Sequence, residues 1–120
     1  MVCDSTNVFE EGEAGSEGMA GEALRRAVAE QTGRVAITSF ASNVARVQSC
    51  CEAARANDRS VCLVGRSMIR IVAAAQSVGL LKGFSFIEPD DAADLPIAPT
   101  VCVIDPACVG APLTPSFTPE

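Results

Sequence analysis

Residues 34–48 read RVAITSFASNVARVQ and residues 60–68 read SVCLVGRSM, and these two stretches decide the fold class. Each begins with a short run rich in apolar and β-branched residues, VAITSF at 35–40 and SVCLV at 60–64. Each then passes through a small polar turn into apolar positions at helical spacing. After the first run, Val44, Val47, Cys51 and Ala54 fall on one face, while Arg46 and Glu52 lie off it. This predicts a helix over 43–55 with Ser42 as its N-cap. After the second run, Gly65 makes the exit turn, Arg66 or Ser67 caps, and a helix continues to Val78, closed by Gly79. Two β-turn-α units in series imply a parallel sheet covered by helices, with right-handed connections. The fold class is α/β.

Upstream, Ala20, Ala23, Leu24, Ala27 and Val28 recur at helical spacing and predict a helix over 17–32. Ser16 is its expected N-cap, Met19 stands at N3, and Gly33 is the expected C′ residue. Residues 10–16 read as a loop rich in Glu and Gly. Met1-Val2-Cys3 reads as the end of a strand, and Asp4-Ser5-Thr6-Asn7 as the polar turn after it. Downstream of Ile87 the pattern weakens. Glu88-Pro89-Asp90-Asp91 is a turn that leaves room for a short helix, and residues 100–104 fit one strand. Residues 105–120, DPACVGAPLTPSFTPE, have no period and are expected to be disordered or poorly packed.

The chain has 120 residues, the length of one domain. Its apolar fraction of 48% suffices for a core, but with only 4% aromatics that core must be built from Val, Ala, Leu and Ile. Histidine is absent, which excludes a Ser-His-Asp triad, a Cys-His pair and imidazole metal ligands within this chain. The net charge of -6 argues against a generic nucleic-acid coat. The charge is unevenly placed, however: -5 over residues 1–33, +5 over 34–82 and -6 over 83–120. The middle section is a basic module whose arginines either face an anionic ligand or decorate solvated helix surfaces. The six cysteines, Cys3, Cys50, Cys51, Cys62, Cys102 and Cys108, show no C-x-x-C spacing. Several sit in apolar runs and read as reduced, structural residues of a cytoplasmic protein, with disulfides as the alternative. No signal-like segment opens the chain, and no apolar stretch approaches the roughly 20 residues of a membrane span.

Chemistry concentrates at the turns. Asp4 would stand at the carboxyl edge of a sheet, where open α/β folds place ligands, or simply cap its turn. Glu17 favours the positive end of its helix. Ser42 and Asn43, and again Arg66 and Ser67, lie at strand-to-helix turns that can hold phosphate oxygens or act as ordinary caps. Neither G-x-G-x-x-G nor a Walker lysine is present, so dinucleotide and P-loop readings fall.

The run RVAITSFASNVARVQ resembles the signature of the bacterial ribonuclease J family, metallo-β-lactamase-fold nucleases that carry a β-CASP domain. VCLVGRSM at 61–68 is similar to that family's second block. CDSTN at 3–7, followed by GSE at 15–17, resembles the passage from its catalytic domain into its β-CASP domain. The order and spacing of these blocks agree over about residues 1–95. The resemblance implies an incomplete Rossmann-like parallel sheet with helices, a partial β-CASP domain at 17–95. It makes 1–16 the end of a metallo-β-lactamase-like domain with the junction, and 96–120 a divergent, disordered tail. After Pro96 the text departs from the family pattern, as a frameshifted or disrupted gene would make it.

The resemblance implies hydrolysis of RNA phosphodiesters, endonucleolytic and from a 5′ monophosphate end, with water activated by two zinc ions. The histidine-rich ligand set of the family has no counterpart here, so the chain itself is expected to hold no metal and to be inactive alone. Asp4 matches the family's acidic motif A, a residue that orients a catalytic histidine. Ser16 and Glu17 match the S-E step at the domain junction. Ser42, Asn43 and Arg46 match the first β-CASP signature, and Arg66 and Ser67 the second, as residues that frame the cleft or contact RNA. The expected partners are RNA, a catalytic half supplied separately or a second copy, and no membrane. Two further readings stand beside this one. One is a weak RNA-binding module acting through Arg34, Arg46, Arg66 and Arg70; the other is a structural fragment that docks on a catalytic subunit.

Overall fold

A computed structural model describes residues 11–12, 15–94 and 100–106. Helix α1 spans Glu17–Ala29. Ser16 caps it as expected, its Oγ accepting from the Met19 amide at 3.3 Å. It stops short of Thr32, because the chain turns at Glu30 and then runs through Thr32-Gly33, residues of low helix propensity. Gly33 is therefore not the C′ residue. Strand β1 is Val35–Thr38 and helix α2 is Val44–Ala56. Asn43, not Ser42, caps α2: its Oδ1 accepts from the Arg46 amide at 3.1 Å. The tight turn in which the Asn43 amide donates to the Phe40 carbonyl shifts the helix start one residue along.

Strand β2 is Ser60–Val64 and helix α3 is Arg66–Ser77. The residue at the N-cap of α3 is Gly65, with φ of 114° and no side chain to offer. Neither Arg66 nor Ser67 caps; both already lie inside the helix. Gly79, at φ of 88°, follows the end of α3 in a left-handed turn. Strand β3 (Phe86–Ile87), helix α4 (Pro89–Asp94) and strand β4 (Thr100–Ile104) complete the described residues.

The four strands form one parallel sheet in the order β1-β4-β2-β3. Two connections, through α2 and α3, advance across the sheet from β1 towards β3. The third, through α4, runs back. Right-handed crossovers therefore put α2 and α3 on one face and α4 on the other. The packing agrees. Val61, Leu63, Val101 and Val103 of the strands meet Val28 of α1, Val47, Cys50, Cys51 and Ala54 of α2, and Met68 and Val72 of α3. On the opposite face Cys62 and Cys102 meet Ala92 of α4. With few aromatics available, valine, alanine and cysteine fill the core, and the small side chains of α2 let that helix lie close to the sheet.

Strand β4 corrects the expected boundary. Val35 to Thr38 pair with Val101 to Ile104 on one side of it, and Ser60 to Val64 with Thr100 to Ile104 on the other. The framework thus continues past Pro96 through residues 100–106, with Val101 and Val103 fully buried at its centre. Residues 1–10, with Asp4 and the expected strand end, lie outside the described residues, as does the tail segment 107–120.

Candidate nucleic-acid interface

A parallel sheet delivers every strand exit to one edge. Here β1, β4 and β2 are adjacent, so residues 39–43, Asp105 and residues 65–67 leave the sheet side by side. The Ser39 amide donates to the Ile104 carbonyl at 3.0 Å, and the Asp105 amide to the Val64 carbonyl at 3.2 Å. Ser67 Oγ donates to the Asp105 carboxylate, tying the start of α3 to the end of β4. Asp105 is itself buried, whereas Phe40, Ser42, Asn43, Arg66 and Ser67 are exposed. Phe40 is 70% exposed, an unusual degree for an aromatic side chain in a chain so poor in aromatics. Sequence reasoning missed Asp105. Its signal is an acidic residue at the carboxyl end of the apolar run TVCVI.

The first helix joins the same edge. Arg46 Nε lies 2.8 Å from Glu17 Oε1 and its Nη2 lies 3.2 Å from Oε2, a two-pronged pair between the first turns of α1 and α2. Ser49 Oγ donates to the same carboxylate at 3.0 Å. At the far end of the two helices, Asn57 Nδ2 reaches the Arg25 carbonyl at 3.2 Å. Helices α1 and α2 therefore run parallel, and the N-termini of α1, α2 and α3 all point to the carboxyl edge. Their amides and dipoles make that edge electropositive. Arg66 and Arg70, one turn apart on α3, are both exposed.

The Arg46 guanidinium beside Glu17 holds that carboxyl below its ordinary value of 4.5, and Glu17 in turn raises Arg46. A carboxylate whose folded pKa is depressed stabilises fully above its unfolded value and loses that contribution as pH falls through the folded one. Denaturation midpoints of the chain and of Glu17→Gln should therefore differ by a constant amount above about pH 4.5 and converge below it. A gap that persists unchanged in acid would show that the carboxylate charge does not matter.

The sequence-selected cations do not stay together. Arg34 stands at the amino end of β1, where its Nη2 donates to the Ala92 carbonyl at 2.8 Å, away from Arg46, Arg66 and Arg70. A groove of about 370 Å³ also lies at the amino edge, lined by Arg55, Arg59 and Phe84 among others. Its cations serve the fold. Arg55 stacks on Phe84, 4.0 Å from the ring centroid, and donates to the Gly83 carbonyl, while Arg59 donates to the carbonyls of Gly33 and Gln31. Cys50, Cys51, Cys62 and Cys102 are free and buried. Among the described residues no group of three or more His, Cys, Asp or Glu side chains can hold a metal ion, so these residues do not fit a zinc site. Among them, too, no helix is long and apolar enough to cross a membrane.

Residues 32–114 match the family model described as ribonuclease J, β-CASP domain. The chain belongs to the ribonuclease J family. It is 43% identical over 105 residues to a ribonuclease J of Sinorhizobium meliloti, an alignment that covers 87% of this chain and 19% of that protein. It is 46% identical over 94 residues to a ribonuclease J of Corynebacterium glutamicum, covering 77% and 13% of the two chains. A ribonuclease J of Mycolicibacterium smegmatis is 45% identical over 82 residues, 68% of this chain and 15% of that one. The chain thus spans less than a fifth of the length of these curated relatives. The ribonuclease J match takes in β1 to β4 and continues to residue 114, so the expected departure at Pro96, and the broken reading frame invoked for it, lose their ground.

Proposed function

We propose that this chain supplies the β-CASP part of a cytoplasmic ribonuclease J-type hydrolase, and that its carboxyl sheet edge receives the RNA backbone. The observation that carries the reading is the convergence of three strand exits and three helix N-termini on one edge, with Arg66 and Arg70 exposed beside them. Amides at helix N-termini and guanidinium groups bind phosphate oxygens. Ser42, Asn43, Arg66 and Ser67 are the contact residues in this reading. Glu17, Arg46 and Ser16 brace the junction to the neighbouring domain, a role that suits a pair whose charges already satisfy each other. Phe40 offers a face on which a base can stack. Asp4 orients a catalytic histidine of the whole enzyme. Phosphodiester hydrolysis, endonucleolytic or from the 5′ end, with two zinc ions, belongs to the complete protein. The present residues bind and orient.

Fluorescence anisotropy with a 5′-phosphorylated single-stranded RNA tests this. The chain should bind weakly, with affinity that falls as salt rises. Arg66→Ala and Arg70→Ala should each weaken binding several-fold and flatten the salt slope by about 0.7. Added zinc should produce no cleavage. Affinity indifferent to both substitutions would refute the RNA-facing edge, and zinc-dependent cleavage lost in Asp4→Ala would refute the division of labour.

A further inference from the structure

We propose that Cys62 and Cys102 form a reversible, peroxide-sensitive disulfide site on the sheet face beneath α4. The two residues are direct partners on adjacent parallel strands, Cys62 of β2 opposite Cys102 of β4. Both side chains point to the same face, where they pack together with Ala92 at 1% and 2% exposure. The Cys62 thiol donates to the Leu63 carbonyl at 3.9 Å, and the two cysteines interact electrostatically. Adjacent strands lie about 4.8 Å apart, which falls inside the Cα separation that a disulfide bridges. The other neighbouring thiols differ. Cys50 and Cys51 are consecutive on α2, so they project in different directions around that helix. Burial in the main core pushes their thiols up to about 11 and about 12.

Arg34 favours ionisation at the strand pair, while burial and, at Cys62, Glu88 oppose it. Arg34 interacts electrostatically with both sulfurs, and its buried Nε has no hydrogen-bond partner. Coupling to Cys62 and the Arg34 charge lower Cys102 against the cost of its burial, while the same coupling and burial raise Cys62. The balance is the same whichever sulfur attacks, here taken as Cys102. Its thiolate forms an S–O bond with hydrogen peroxide as the O–O bond breaks. The hydroxide released takes up the proton that Cys102 gave up and leaves as water. The Cys62 sulfur next attacks the sulfenic sulfur of Cys102. The S–S bond forms, the S–O bond breaks, and the departing hydroxyl leaves as a second water with the proton of Cys62. Two thiols lose two electrons, and one peroxide becomes two waters. Access depends on α4, a helix of six residues that Arg34 fastens through the Ala92 carbonyl. Peroxide reaches the sulfurs when α4 lifts from the sheet.

Trypsin separates the cysteines well. Residues 60–66 carry Cys62 alone, 47–55 carry Cys50 and Cys51, and 83–120 carry Cys102 with Cys108. The experiment treats the folded Cys108→Ser chain with a small excess of hydrogen peroxide, alkylates free thiols, digests and weighs the peptides. The unsubstituted chain runs in parallel, with fragmentation locating the bond between positions 102 and 108. Both should yield peptide 60–66 joined to 83–120 through Cys62 and Cys102, released by dithiothreitol. The yield should be about tenfold above that from chain oxidised in concentrated guanidinium, where the sheet no longer sets the pairing. Equal yields from folded and unfolded chain, or full recovery of alkylated Cys62 and Cys102 while Cys50 and Cys51 oxidise, would overturn the proposal.

Discussion

A Val103→Asp chain is expected to lose cooperative unfolding and to show the circular dichroism of a largely unfolded polypeptide. Val103 sits in the middle of β4, paired with Ile37 on one side and Leu63 on the other, and is fully buried. An uncompensated carboxylate at such a place costs about 3–5 kcal/mol. The whole stability of a domain this size is only about 5–15 kcal/mol. Protonation lowers the cost but leaves a polar group without partners against valine and leucine. Thr38→Asp is the control. Thr38 lies on edge strand β1 with its side chain exposed, so urea midpoints should move by no more than about 0.5 kcal/mol. A Val103→Asp chain that unfolds at the original midpoint would remove β4 from the sheet.

The second large effect is expected at the exit of β2. Gly65 has φ of 114° and ψ of 136°, a region closed to side chains with a β-carbon. Gly65→Val should cost about 1–3 kcal/mol from backbone strain. It should also misdirect the start of α3, so that Ser67 no longer meets Asp105 and Arg66 turns from its place at the edge. Stability and RNA affinity should therefore fall together. Gly33→Ala offers the contrast. A methyl group at Gly33 meets nothing within 4 Å, so its denaturation midpoint should stay within about 0.5 kcal/mol of the original. If the two substitutions prove equally mild, the turn at Gly65 does not need its glycine.

Local pattern carried much of this fold. VAITSF and SVCLV, each followed by helical spacing, announced β1, α2, β2 and α3 because each unit is written within about 25 consecutive residues. Strand β4 was legible as a run and illegible as a centrepiece. TVCVI is buried on both faces and so shows no alternation, and prolines at 96, 99 and 106 frame it like a loop. Its insertion between β1 and β2 is a choice of strand order that no local period encodes. The site divides in the same way. Ser16, Glu17, Asn43, Arg46 and Ser67 stood out singly. The contacts Glu17–Arg46 and Ser67–Asp105, 29 and 38 residues apart, arise only when helices and strands pack. Ser49 escaped notice because its hydroxyl gains meaning only beside the Glu17 carboxylate.

The most direct test of an RNA-facing carboxyl edge is to titrate the ¹⁵N-labelled chain with a short 5′-phosphorylated single-stranded RNA and follow amide shifts residue by residue. The largest changes should fall on residues 40–46, 65–70 and Asp105, and should shrink as salt rises. Changes centred instead on Arg55, Arg59 and Phe84 at the amino edge, with residues 40–46 and 65–70 unmoved, would contradict the account.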